Sequence, residues 1–332
     1  MRGEAFHVAV AGFLGVADVA LAALLAAQYR YGAGIFLLCC PATILLTGFH
    51  SQFENFALLA GIAAWLLIRS GSPSPPRLVL AAGLLGVSLI IKHILFLFPL
   101  WVLFWPKLGS WGKRMAYVMI AYGIFGLSFL PWLFDAPSRA GFSQNVFHYR
   151  SDFSLSLSRL VVSFHPFAGV SIASSRVLTY GWMAVVMAAG IWVPRKKVDF
   201  FPLYLLTMFA LSPALMDQYL AIALLACAIL CTSWPSWALV GTTILALFRS
   251  PADIFLCPFS MVYYVAMVST QICALALLLV AVRSAGPSPT APFSTRHAAQ
   301  KAVTLAVASL AFVFVIFMFK SFVLHWAGPA EP

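Results

Sequence analysis

Charged side chains are scarce in this sequence, and acidic ones are the scarcest. Of 332 residues only 9% are charged, and 9 Asp and Glu stand against 20 Lys and Arg. Hydrophobic residues make up 63% of the chain and the mean hydropathy is +0.97, which is more apolar surface than a water-soluble domain can bury. The composition therefore excludes an ordinary soluble fold and makes the lipid bilayer the solvent for most of the chain.

Long basic segments of the kind that bind nucleic acid are also missing. The net charge of +11 comes from Lys and Arg in short segments between apolar runs. Such residues set membrane topology and contact anionic lipid headgroups, so we expect membrane lipids and no nucleic acid as partners. The six cysteines show no metal-ligand spacing, and we expect neither a metal nor a cofactor. They are Cys39, Cys40, Cys227, Cys231, Cys257 and Cys273.

The chain shows no internal repeat, and no signal-peptide cleavage pattern follows its first apolar run, residues 6–28. The missing repeat disfavours inverted-repeat transporters, and the missing cleavage pattern makes 6–28 a transmembrane helix. Successive apolar runs, several of them short, predict about twelve crossings. We therefore predict an all-α fold: one polytopic transmembrane domain over 1–332.

Clusters of Lys and Arg assign the two faces of this predicted domain. The clusters at 69–77, 113–114 and 195–197 are typical of cytoplasmic loops. Alternation then predicts an extracytoplasmic loop at 135–174 and a cytoplasmic linker at 284–300. We expect a multi-pass integral protein of the bacterial inner (cell) membrane.

The polar octet at 48–55 separates two runs that are apolar enough to lie in lipid. Its His50, Gln52, Glu54 and Asn55 are costly at membrane depth unless they line a wet cavity or its mouth. The alternative is a plain polar turn between two helices. The octet shares its predicted face with Lys92-His93, the 135–174 loop and 217–219.

Together these segments bring cations, histidines and carboxylates to one side of the membrane. Outer-face cations suggest a phosphate or another anion to neutralise, and a carboxylate with a nearby His could act as a general base. The alternative for a single Lys or Arg is a residue that only anchors the helix at the interface.

Four short motifs carry a resemblance to a known family. They resemble, in order, elements of the GT-C superfold glycosyltransferases that use polyprenyl-phosphate-linked sugars, such as the glucosyltransferases of N-glycan assembly and their bacterial counterparts. The motifs are His50-x-Gln52-Phe53-x-Asn55, Lys92-His93 with Pro99, Val146-Phe147-His148-Tyr149-Arg150-Ser151, and Ser212-Pro213 with Gln218-Tyr219-Leu220.

The resemblance implies a GT-C-like fold and an inverting hexosyltransferase. It would transfer a sugar from a polyprenyl-phosphate donor to a glycan or lipid-linked acceptor on the extracytoplasmic side, without a nucleotide sugar. The implied substrate-binding residues, with Arg150 beside the matched positions, are His50, Gln52, Lys92, His93, Tyr149, Arg150, Gln218 and Tyr219.

The chain departs from this family at its beginning. The resembling enzymes begin with a transmembrane helix and an outer loop that carries the catalytic acid, and both precede the helix matched by 6–28. We therefore expect this first helix and loop to be missing from the 332 residues, and transfer to need them. Glu54 and Asp152 are the candidate substitutes for the base.

Two other functions stay open on the sequence. A lipid-linked sugar flippase or another transporter would carry polar residues in mid-span, and here only Asp18 is clearly placed so. The one-sided polar clusters favour the enzyme. A non-catalytic subunit of a membrane complex is the third possibility.

Overall fold

The computed structural model describes residues 2–49, 53–134, 136–142, 173–192, 199–212, 219–230, 234–247 and 261–283. All regular secondary structure in these ranges is helical, which confirms the all-α prediction for the described residues. The helices are α1 Arg2–Gln28, α2 Tyr31–Cys39, α3 Pro41–Ile44, α4 Glu54–Ile68, α5 Pro75–Ile91, α6 Phe98–Leu103, α7 Trp111–Leu127, α8 Leu130–Leu133, α9 Ala136–Phe142, α10 Ala173–Trp192, α11 Phe200–Leu211, α12 Leu220–Leu230, α13 Trp234–Leu247 and α14 Met261–Arg283.

Two of these helices are long and apolar enough to cross a membrane. They are α1, over Val8–Gln28, and α14, over Tyr263–Arg283. The bent pair Pro75–Ile91 and His93–Leu103 makes a third if it counts as one span. Several further apolar helices are shorter, between 10 and 17 residues. The described residues thus form a helical protein with two helices that could cross a membrane, and the count of about twelve crossings stays a prediction.

Proline and a polar break divide the predicted apolar runs. Helix α2 ends because Pro41 lacks an amide hydrogen and restricts the residue before it, so Cys40 is extended. Helix α3 then continues as a π-helix over Leu45–Phe49. The apolar run 78–105 is too long for one ordinary span and is broken by Lys92-His93, which predicts two short helices that turn there. The chain bends by 118° at Lys92, which confirms this prediction.

An aromatic cluster holds α4, α6 and α11 together. The ring of Phe200 lies 4.3 Å from that of Trp65, and the rings of Trp101 and Tyr204 are 5.1 Å apart. The Trp101 indole donates to the Val186 carbonyl at 2.9 Å, which ties α10 to the same cluster. Trp101 and Tyr204 therefore pack against neighbouring rings while the polar group of each has a hydrogen-bond partner.

The clusters at 69–77 and 113–114, predicted as cytoplasmic, lie together with Arg30 and Lys107 at one end of the helices, which we call the basic end. The third predicted cluster, 195–197, lies outside the described residues. Arg69 donates to the Gln28 carbonyl at 2.8 Å, and its guanidinium lies over the Tyr29 ring. Lys113 donates to the Pro73 carbonyl, and the Ser72 amide donates to the Lys107 carbonyl. Loops that are distant in sequence thus form a single face.

A partly buried carboxylate joins the end of α1 to α11 at the basic end. Asp199 caps α11 through the Phe201 amide and accepts the Tyr29 hydroxyl at 2.9 Å. Burial raises the pKa of Asp199, although these hydrogen bonds and the nearby Arg69 oppose the shift. Burial also raises the pKa of Tyr29, so its hydroxyl remains a donor.

Candidate functional site

Helix lengths place the predicted site at the end opposite the basic end. Helices α4 and α5 have 15 and 17 residues, which at about 1.5 Å per residue span about 22 and 26 Å. Each connects the basic end to a polar residue, Glu54 or Lys92. Glu54 and Lys92 therefore lie at the ends of α4 and α5 that point away from the basic end.

Glu54 and Lys92 form an ion pair at these helix ends. The Lys92 Nζ lies 2.6 Å from Glu54 Oε1, and the Glu54 side chain is 0% exposed. Within the described part of the chain, neither carboxylate oxygen of Glu54 accepts a well-directed hydrogen bond. There, the Lys92 ammonium is the group that compensates the burial of the carboxylate.

The local backbone geometry of Lys92 directs its side chain toward the start of α4. Lys92 is the extended residue that ends α5, and its amide still donates to the Ser88 carbonyl. One turn away, the Ser88 hydroxyl donates to the Ala57 carbonyl at 2.7 Å and ties α5 to α4. A cation at a helix C-terminus and a carboxylate in a first turn also complement the helix dipoles.

A second polar cluster lies on the neighbouring face of α4. The Asn55 amide donates to Asp18 Oδ1 at 2.6 Å and to the Thr47 hydroxyl at 3.3 Å, and all three residues are buried. Thr47 lies in the π-helix, a distortion that is frequent at functional sites. Because Glu54 and Asn55 are consecutive, the two clusters connect α1, the π-helix, α4 and α5.

The sequence pattern singles out Asp18 and Asn55 as polar residues between apolar runs, but it does not predict their contact. Nothing in the pattern points to Thr47. One signal was available, because a carboxylate in the middle of an apolar helix needs a polar partner from another helix. The sequence does not identify that partner, since the contact joins residues 37 positions apart.

The structure brings together part of the predicted site. Glu54 and Lys92 are in contact, and His93 is exposed next to Lys92. Tyr219 precedes α12 and packs, partly buried, against the apolar core. The other predicted site residues lie outside the described residues: His50, Gln52, Tyr149, Arg150, Asp152 and Gln218.

No metal site is evident in the described ranges, which contain no group of three or more His, Cys, Asp or Glu able to hold an ion. Cys39 and Cys40 form no disulfide within these ranges. The site provides a cation, Lys92, that can bind an anion and a carboxylate, Glu54, that can accept a proton.

Comparison of this chain with protein-family models, with curated proteins and with solved structures gave no match.

Proposed function

We propose that this protein is a membrane hexosyltransferase. It transfers a sugar from a polyprenyl-phosphate donor to a glycan or lipid-linked acceptor on the membrane face opposite the basic end. The proposal includes a GT-C-like fold with about twelve crossings in a bacterial inner membrane. The observation that supports the proposal is the ion pair of Glu54 and Lys92 at the ends of α4 and α5 opposite the basic end.

Lys92 holds the leaving phosphate in this proposal, with His93 beside it. A preformed cation in a site of low dielectric stabilises the negative charge that grows on a leaving phosphate. The Lys92 side chain is 24% exposed, so a donor phosphate can reach it. Lipid tails of the donor stay in the bilayer while its phosphate enters at the depth where these helices end.

Glu54 is the candidate base in the described part of the chain, and Asp152 is the other candidate. A base must come within about 3 Å of the acceptor hydroxyl. Glu54 occupies the first turn of α4 directly behind Lys92, which would place donor phosphate and base side by side. Such proximity is what an inverting transfer between two bound substrates requires.

The test measures donor binding and transfer separately. Purified protein is reconstituted with lipid-linked hexose and an acceptor, with and without an added amino-terminal helix and loop of the resembling enzymes. We expect donor binding in both cases and transfer when the element is present. If the 332-residue chain transfers sugar without the added element, Glu54→Gln and Asp152→Asn identify the base by which variant loses turnover while it still binds donor. Failure to bind any lipid-linked sugar would contradict the proposal.

A flippase for lipid-linked sugars is the second candidate, and the Asp18 cluster favours it. Asp18 lies in mid-span and is hydrogen-bonded to Asn55, as a polar translocation path would require. Flipping of a fluorescent lipid-linked sugar in liposomes, abolished by Asp18→Asn, would support this function. Liposomes in which neither flipping nor transfer occurs would instead favour the non-catalytic subunit.

A further inference from the structure

Two buried carboxylates and one lysine lie around the start of α4. Lys92 forms an ion pair with Glu54, whereas in the described part of the chain no cation pairs with Asp18, which accepts a hydrogen bond from the neutral Asn55 amide. The two carboxylates therefore carry one negative charge more than Lys92 offsets. We propose that the cluster of Asp18, Thr47 and Asn55 binds a sodium ion. This inference goes beyond the proposed function and does not rest on it.

The position of Asp18 makes an uncompensated charge costly. Asp18 lies within the segment Val8–Gln28 of α1, which is long and apolar enough to cross a membrane, and only 8% of its surface is exposed. A hydrogen bond from a neutral amide lowers the cost of burying the carboxylate but leaves its charge in place. A bound cation removes that charge. One carboxylate balances a monovalent ion, whereas a divalent ion such as Ca²⁺ usually takes several.

The cluster offers oxygen atoms, the ligands that hard cations prefer, from three helical elements. They belong to the carboxylate of Asp18 on α1, the hydroxyl of Thr47 in the π-helix and the amide of Asn55 on α4. The Asn55 nitrogen lies 2.6 Å from Asp18 Oδ1 and 3.3 Å from the Thr47 hydroxyl. A half-turn of the amide places its oxygen there instead, because the group carries both a donor and an acceptor. Such short separations suit a small ion and disfavour the larger potassium.

Backbone carbonyls near Thr47 supply further oxygen atoms. Thr47 lies in the π-helix Leu45–Phe49, and the carbonyls in the last turn of a helix lack an intrahelical amide donor. Interrupted helices of membrane proteins coordinate sodium through carbonyls of this kind. A sodium ion at this place would compensate Asp18 and leave Lys92 paired with Glu54.

The experiment compares thermal unfolding of the purified 332-residue protein in detergent with sodium, potassium or choline chloride at equal ionic strength, and it measures binding of radioactive sodium. We expect sodium to raise the melting temperature most, because an ion that binds the folded state stabilises it. Asp18→Asn should weaken sodium binding at least about tenfold, and Thr47→Val about threefold or more. Matched controls are Asp199→Asn, a carboxylate at the basic end, and Thr207→Val, a buried threonine on α11, and both should bind sodium as the wild type does.

Several results would overturn the sodium site. These are equal melting temperatures in sodium and choline chloride without bound radioactive sodium, equal effects of sodium and potassium, and sodium binding that Asp18→Asn leaves unchanged. Stabilisation by acidification without any effect of sodium would mean that Asp18 holds a proton instead, and it too would reject the site. If Asp18→Asn fails to fold, as judged by gel filtration, the nearly isosteric Thr47→Val still decides.

Discussion

At the scale of single residues, the pairing of Glu54 with Lys92 changes the argument for a phosphate site. From the sequence, Lys92 needed an anion because a charge at a helix break within the membrane is costly. Glu54 supplies that anion within the protein. The phosphate site is therefore argued from the partial exposure of Lys92 beside the buried Glu54 rather than from an uncompensated charge.

Asp199 provides a prediction about pH and stability. Burial raises its pKa in the folded protein above the ordinary value that it has in the unfolded chain. The folded state therefore holds the proton more tightly, and this group lowers the stability progressively as the pH rises from about 4 through the folded pKa. Asp199→Asn lacks this titrating carboxylate. The melting temperature of the variant should therefore increase relative to that of the wild type as the pH rises.

Thermal unfolding of both proteins in the same detergent across that pH range measures the difference. Tyr29→Phe serves as the companion variant, since it removes the hydroxyl that donates to Asp199 and should extend the loss of stability to higher pH. A difference between wild type and Asp199→Asn that does not vary with pH would contradict the assignment.

At the scale of elements, close helix packing depends on glycine at particular positions. A Cβ on Gly34 of α2 would meet the backbone carbonyl of Ala22 and lie 2.9 Å from Ala26 Cβ on α1. Gly32, two residues earlier on the same helix, faces open space. The pair offers a matched comparison within one helix.

We expect opposite effects of alanine at these two positions. Gly34→Ala forces α1 and α2 apart and should lower the free energy of unfolding by about 1–3 kcal/mol. Gly32→Ala should leave it unchanged or raise it by up to about 1 kcal/mol, because alanine is the better helix former. Chemical denaturation in detergent measures both. Equal costs at the two positions would mean that the α1–α2 contact is not tight.

At the scale of the whole molecule, the separation of two ends predicts sidedness. The basic loops meet at one end, and Glu54 and Lys92 lie at the other. In a Cys-free background, single cysteines at Ser51 and Ser143 should react with an impermeant thiol reagent added from the extracytoplasmic side. A cysteine at Ser72, in the loop beside Lys107, is the control that should react from the cytoplasmic side. Labelling of Ser51 and Ser72 from the same side would refute the shared outer site.

Composition and local pattern by themselves determined the class and the breaks of this protein. Apolar content predicts helices in a bilayer, because unsatisfied backbone groups are too costly in lipid. Pro41 ends one helix, and the polar Lys92-His93 marks the bend of another, since both effects act within a few residues. The grouping of the basic loops also followed from the sequence, through the charge bias of cytoplasmic loops.

Only the tertiary structure decided which polar residues meet. Glu54 contacts Lys92 across 38 positions and Asn55 contacts Asp18 across 37, and no local preference encodes such distances. The partners are selected by how α1, α4 and α5 pack, for example through the hydrogen bond of Ser88 to Ala57 and the bend at Lys92. The sequence shows that charges within the membrane must be compensated, whereas the packing of helices determines which group compensates each of them.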